Sequence, residues 1–272
     1  MIPLHIGLLA VTVVGRFYVQ FVMNRTHIDY TNTSLRMWEG LMDVMLISAY
    51  VIALIAVYII TWLYVSVLRP RKNLFTDEGY LMHTLPASTS EHIVSKLVVA
   101  SVWRIADILL IGLSIFIMVV NKYIIQDFGE FWHELWFGFS YIFDVPAGLG
   151  MSAFLLIELI SIVSSLLIFY ACIAIGHSFN SHRILASIGV FVGYNIINNL
   201  ISSIFTAIVG VGSFGSSSFY NVFFGIGYNN PYVNAARYFW LNMGFAAVFS
   251  LVMGAAAFVL ANHFMSRRLN LE

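Results

Sequence analysis

Six runs of mostly apolar residues, each about 20 residues or longer, recur along the chain at 3–23, 41–68, 97–120, 149–175, 184–211 and 238–261. A helix of about 20 residues crosses the hydrocarbon core of a bilayer. Backbone polar groups in lipid must be satisfied within the segment, so runs of this kind fold as helices. Of the 272 residues, 60% are hydrophobic and 10% charged, with a mean hydropathy of +0.88. Soluble domains carry about 25% charged residues, and a chain with so few could not cover a water-facing surface. The sequence therefore predicts an all-α polytopic membrane protein, with residues 1–272 forming a single transmembrane domain. The connections between runs are too short to hold a soluble domain.

The remaining composition excludes several classes. Thirteen basic side chains balance thirteen acidic ones, so no basic surface for nucleic acid is expected. The single cysteine, Cys172, lies in an apolar run and reads as a small buried hydrophobe; no intrachain disulfide framework is possible. The first run has no basic segment before it and no small-residue cleavage site after it, so it is read as a true span rather than a signal peptide.

Orientation follows from Lys and Arg in the short loops. Arg69, Arg71, Lys72, Lys96, Arg183, Arg267 and Arg268 fall on one side, against Arg25, Arg36, Lys122 and Arg237 on the other. That second side also holds the acidic set Asp127, Glu130, Glu134 and Asp144. Both termini are accordingly expected in the cytoplasm, with the chain in the cell membrane as a multi-pass protein among lipids.

The connector 69–96 then faces the cytoplasm, and it is more than a plain link. Thr76 can cap a helix whose first turn holds Asp77 and Glu78, a favourable placement for the helix dipole. Phe75, Leu81, Met82 and Leu85 offer an apolar stripe, and Gly79 lets another backbone approach. Pro86 ends the segment, and Ser88 with Glu91 forms an S-x-x-E capping box that opens the next helix. Isolated helices this short are marginal in water. The segment therefore either docks on a partner or lies on the lipid surface.

The string DEGYLMHTLP, residues 77–86, followed by S-x-x-E-x-x-x-S-K-L at 88–97, resembles the cytoplasmic loop of ABC-2-type transporter permeases from Gram-positive bacteria. The six-run layout is similar too. In that family this loop contains the coupling helix, which rests in a cleft of the ATPase subunit. The resemblance implies coupling contacts at Phe75, Asp77, Glu78, Gly79, Leu81 and Leu85. It also implies a second permease, identical or not, around a central path, and export of a peptide, antibiotic, lipid or polysaccharide. The chain has no G-x-x-x-x-G-K-[ST] phosphate loop. ATP and Mg are therefore expected in a partner ABC ATPase, with no cofactor or enzymatic activity in this chain. The family usually places a basic amphipathic elbow helix ahead of its first span, whereas here the first apolar run opens at residue 3.

Polar residues inside the runs supply the other candidates. Glu158 stands about ten residues into the fourth run, with Ser161 and Ser165 continuing its face. Intramembrane carboxylates normally face a bundle interior or a wet cavity. The fifth run carries Asn195, Asn199, Ser202 and Thr206 at helical spacing. Two readings stay open: Glu158, Asn195 and Asn199 line a substrate path, or these groups bond between helices. A secondary transporter or channel with Glu158 as its ion or proton site is the alternative function, and a non-transporting anchor or sensor a third. Arg104 and Asp107, three residues apart, read as a structural pair. Arg16 pairs across helices or snorkels outward. Glu130, His133 and Glu134 sit among Phe128, Phe131, Trp132, Trp136, Phe137 and Phe139, which reads as an aromatic interfacial helix rather than a metal site. Gly210-x-Gly212-x-x-Gly215 follows a helical run and opens no βαβ unit, so it is no nucleotide fingerprint but a flexible end to the fifth span. Gly189-x-x-x-Gly193 permits close helix packing.

Overall fold

The computed structural model describes residues 2–25, 33–71, 88–120, 126–179, 182–214 and 231–267. Among them there are helices and short connections but no strand. The helices are α1 (Ile2–Arg25), α2 (Thr33–Leu63), α3 (Thr89–Val119), α4 (Phe128–Phe143), α5 (Ala147–His177), α6 (Arg183–Phe214) and α7 (Pro231–Arg267), and α2 runs on through a π-helical stretch, Tyr64–Leu68. Five segments are long and apolar enough to cross a membrane: Val44–Arg71, Thr89–Val119, Ala147–His177, Arg183–Gly210 and Ala235–Ser266. The sixth expected run is met only in part. Its helix α1 is formed, but the apolar stretch described there, Ile2–Tyr18, is shorter than the others. The coupling segment with Phe75, Asp77, Glu78, Gly79, Leu81 and Leu85 lies outside the described residues.

The helix ends follow local chemistry. The Ser88 backbone N–H donates to Glu91 Oε2 at 2.8 Å, and the Glu91 N–H donates to Ser88 Oγ at 3.4 Å. Both halves of the expected capping box are thus present, and α3 begins at Thr89, ahead of the apolar run at 97. At the other boundary the glycines do not end α6, which continues through Gly210 and Gly212 to Phe214. Intrahelical bonding in an apolar segment outweighs the cost of glycine in a helix, about 1 kcal/mol each.

The chain divides into two compact units, Met1–Leu68 with Val102–Asp127, and Arg69–Ser101 with Phe128–Glu272. In the first, α1 and the later part of α3 pair at a constant offset. His5 meets Asp107, Thr12 meets Ser114 and Arg16 meets the Met118 carbonyl. Every pair is 102 residues apart, so the two helices run parallel. The first two pairs are spaced by seven residues on both helices, the repeat that keeps one seam facing its partner over successive turns. Opposite α3, Thr61 of α2 meets Asp107 and Tyr50 meets Ser114, which makes α2 antiparallel to it.

The second unit is built around α5. From Leu166 to Ala174 every side chain of this helix is buried, as expected of a helix that is hydrophobic all round. Tyr170, Ala171 and Ile173 share a core with Ile93 of α3 and with Ala257, Ala261 and Met265 of α7. Small residues set the approach of the backbones. A Cβ on Gly254 of α7 would stand 2.7 Å from Ser164 Oγ, and one on Gly176 would collide with Ser187 of α6. Cys172 lies in this core as a free thiol, the small buried hydrophobe expected of it.

The expected aromatic helix is α4. Its Ser140 hydroxyl accepts the Ala147 N–H at 3.0 Å, capping the start of α5, and the Trp240 indole N–H donates to the Phe143 carbonyl at 2.9 Å. Phe139, Phe143, Phe154, Phe239 and Trp240 meet edge to face or tilted around that junction. Gly150 has no room for a side chain because the Phe139 ring fills it.

Candidate functional site: polar groups within the candidate spans

The densest polar constellation among the described residues surrounds Asp107. Its carboxylate accepts from His5 Nε2 at 2.6 Å, from the Thr61 hydroxyl at 3.0 Å and from Arg104 Nη1 at 3.0 Å. Arg104 Nη2 also donates to the Tyr58 hydroxyl at 3.1 Å, with the guanidinium carbon 5.1 Å from the ring centroid. Asp107 is 1% exposed, His5 5%, Arg104 6% and Thr61 fully buried. A buried carboxylate is tolerable only when it is paired and its lone pairs are filled. Here three donors from three helices meet on two oxygens.

Two turns further along α3 a neutral set repeats the pattern. Ser114 Oγ lies 2.8 Å from Thr12 Oγ1 and 2.8 Å from the Tyr50 hydroxyl, and Thr12 also donates to the Leu8 carbonyl. Arg16 reaches the Met118 carbonyl at 3.4 Å, so it pairs across helices. The Arg104–Asp107 pair expected from sequence is present, as one edge of a larger network. Its other members, His5, Tyr58 and Thr61, were not singled out from sequence. A signal existed: His5 and Thr12 on α1 match Asp107 and Ser114 on α3 at the same seven-residue spacing.

The local backbone of α2 is also unusual at this level. Thr61 Oγ1 stands 2.8 Å from the Val57 carbonyl and 3.1 Å from that of Tyr58, besides its contact with Asp107. Thr61 has one hydroxyl proton, given to Asp107 in this network, so the two carbonyls are its alternative acceptors in the manner of threonine back-bonding. One turn later α2 widens into the π-helical stretch, where Val65 and Ser66 are buried. Single π turns inside helices often mark functional positions.

The residues expected to line a path are placed differently. Glu158 is exposed on α5 and has no hydrogen-bond or ion-pair partner among the described residues; Leu155, Leu156 and Leu159 beside it are exposed as well. Ser165 donates to the Ile162 carbonyl of its own helix at 2.9 Å. Asn195 is half-buried and donates to the Phe191 carbonyl one turn back, also on its own helix, at 2.8 Å. Asn199 is exposed. Asn195 and Asn199 do share a surface, a depression of about 440 Å³ with Val192, Ile196 and Ser203. That depression is one face of α6 alone, and it does not include Glu158. Thr206 leaves the stripe to bond Asn242 of α7 at 3.0 Å, next to the stacked rings of Phe205 and Phe245. No built Cβ on Gly189 or Gly193 would touch anything among the described residues. Nor does any described group of three or more His, Cys, Asp or Glu form a metal site.

Comparison of the chain with family models, with curated proteins and with solved structures returned no match. The likeness to ABC-2-type permeases therefore rests on the residues of the 77–97 segment and the apolar layout alone.

Proposed function

We propose that this chain is a multi-pass membrane protein serving as the permease subunit of an ATP-driven transporter, with ATP hydrolysis supplied by a separate ATPase chain. The observation that carries the reading is the capping box at Ser88 and Glu91. It opens a long apolar helix directly after the DEGYLMHTLP segment, as the loop of such permeases does before its third span. The parallel register of α1 along α3, held from His5 to Arg16, supports counting α1 as a further span, six in all. Lys and Arg placement supports cytoplasmic termini. The exposed Glu158, the face at Asn195 and Asn199, and Gly189 and Gly193, over which no described residue packs, suit burial against a second permease around a path. An exported amphiphile fits such a path.

The test is co-purification with an ATPase encoded beside the gene, together with stimulation of its hydrolysis. Gly79→Trp and Leu81→Asp are expected to abolish both while leaving the permease folded, because a bulky ring or a buried charge spoils a close-fitting surface. Unchanged binding and stimulation in both variants would remove the connector from the mechanism. A secondary transporter is the second reading, and the buried Asp107 network favours it, since ionisable groups inside spans commonly serve ion or proton pathways. Uptake or efflux driven by a pH gradient without ATP would select it.

A further inference from the structure

The unit built on α5 carries a basic feature of its own. Arg71, which follows the π-helical stretch of α2, and His182 and Arg183, which open α6, line one opening of about 550 Å³. Its remaining walls are Ile184, Leu185 and Ile188. The described residues on either side of the opening's α6 end are held by local bonds. Ser178 donates from its hydroxyl to the Ile175 carbonyl at 2.6 Å, His182 has a left-handed backbone at φ 57°, and its carbonyl accepts the Ala186 N–H at 2.9 Å. His177 is buried at the end of α5, and Arg71 and Arg183 line the same opening.

The apolar side of the opening continues outward along α6. Leu185, Ile188, Val192 and Ile196 recur on one face and are 67%, 53%, 49% and 56% exposed. Residues 185 to 196 cover about 17 Å of helix at 1.5 Å per residue, the scale of a fatty acyl chain. A cationic mouth with an apolar track leading from it matches an amphiphile with a negative headgroup. We propose that this opening binds the phosphate headgroup of an anionic phospholipid, its acyl chain lying along the Leu185–Ile196 face of α6. Two arginines supply the charge and the bidentate donors that suit a phosphate. Basic openings between helices on the cytoplasmic side are where such headgroups bind. The site depends on α6 being a membrane span, and is independent of whether the transporter uses ATP.

The experiment uses the purified full chain in detergent and reads the lipids it retains by native mass spectrometry, with equimolar phosphatidylglycerol and phosphatidylcholine supplied. Phosphatidylglycerol should be retained preferentially. Each arginine removed should weaken that preference about fivefold, since a basic residue near such a headgroup contributes about 1 kcal/mol; Arg71→Gln with Arg183→Gln should lose about 25-fold. Arg71→Lys should keep most of it. In the unaltered chain, phosphatidylglycerol carrying a photoreactive acyl group should cross-link within 184–196. Equal retention of the two lipids, an unchanged preference in the double variant, or cross-links only elsewhere would overturn the proposal. Displacement of phosphatidylglycerol by inorganic phosphate at equal concentration would overturn the lipid assignment and identify a site for a soluble anion.

Discussion

The two compact units are both made of apolar helices, yet they are held together by different chemistry. In the unit containing α1, α2 and the later part of α3, the interhelical contacts are polar: a carboxylate with three donors, then two hydroxyls on a third, then an arginine on a carbonyl. In the unit built on α5 close packing dominates, with Gly254 against Ser164, Gly176 against Ser187 and alanines of α5 and α7 in one core, beside single bonds such as Thr206 to Asn242 and Trp240 to the Phe143 carbonyl. Burial singles out one helix rather than one unit. The most apolar stretch of α5 is 67% buried, whereas those of α6 and α7 in the same unit are 0% and 11% buried, and that of α2 is 11% buried. Helices in lipid gain no hydrophobic free energy by meeting one another. They must either fit closely or bond, and the two units weight these solutions differently.

The largest expected effect sits in the polar unit. Asp107→Leu removes the acceptor for three donors and leaves Arg104 buried without its counter-charge, which costs about 3–5 kcal/mol in comparable pairs. Thermal unfolding in detergent should show a substantial loss of stability. A variant that unfolds like the parent would mean that the network is not what holds α1 and α2 to α3. Replacing Asp107 and Arg104 together, by Leu and Met, should restore most of the loss, because no unpaired charge then remains.

A smaller effect is expected in the steric unit. Gly254→Ala forces a methyl group against Ser164, whose Oγ and Cβ are the nearest atoms, and overpacking of this kind costs about 1–3 kcal/mol. Adding Ser164→Gly should recover part of it, measured in the same unfolding experiment. If the double variant is no better than the single, the α5–α7 contact is set by something other than this fit.

The smallest effect belongs to the neutral rung. Thr12→Val with Ser114→Ala removes hydroxyl bonds between α1 and α3, and a double-mutant cycle should give about 0.6 kcal/mol of coupling, the average for such bonds in membrane helices. A coupling as large as that of Asp107 with Arg104 would show that the whole seam acts as one network rather than as one charged anchor with weaker neighbours.

The sequence by itself determined the helical class, the positions of five long apolar helices and the start of α3. Each depends on residues close in the chain: hydropathy over about 20 positions, or a serine and a glutamate three apart that can bond each other's backbone. The Arg104–Asp107 edge was legible for the same reason, as one turn of helix separates the two. What only the tertiary structure decided is which polar residues meet. His5 and Asp107 are 102 residues apart, and the spacing within either helix does not say which seven-residue register the other adopts. Glu158 makes the opposite point. Its position in an apolar run led to the expectation of an interior or wet cavity, yet the side chain is exposed in this chain. Burial of one face of a helix depends on what the neighbouring helices leave uncovered, and that is a property of their packing, not of the residues on the helix itself.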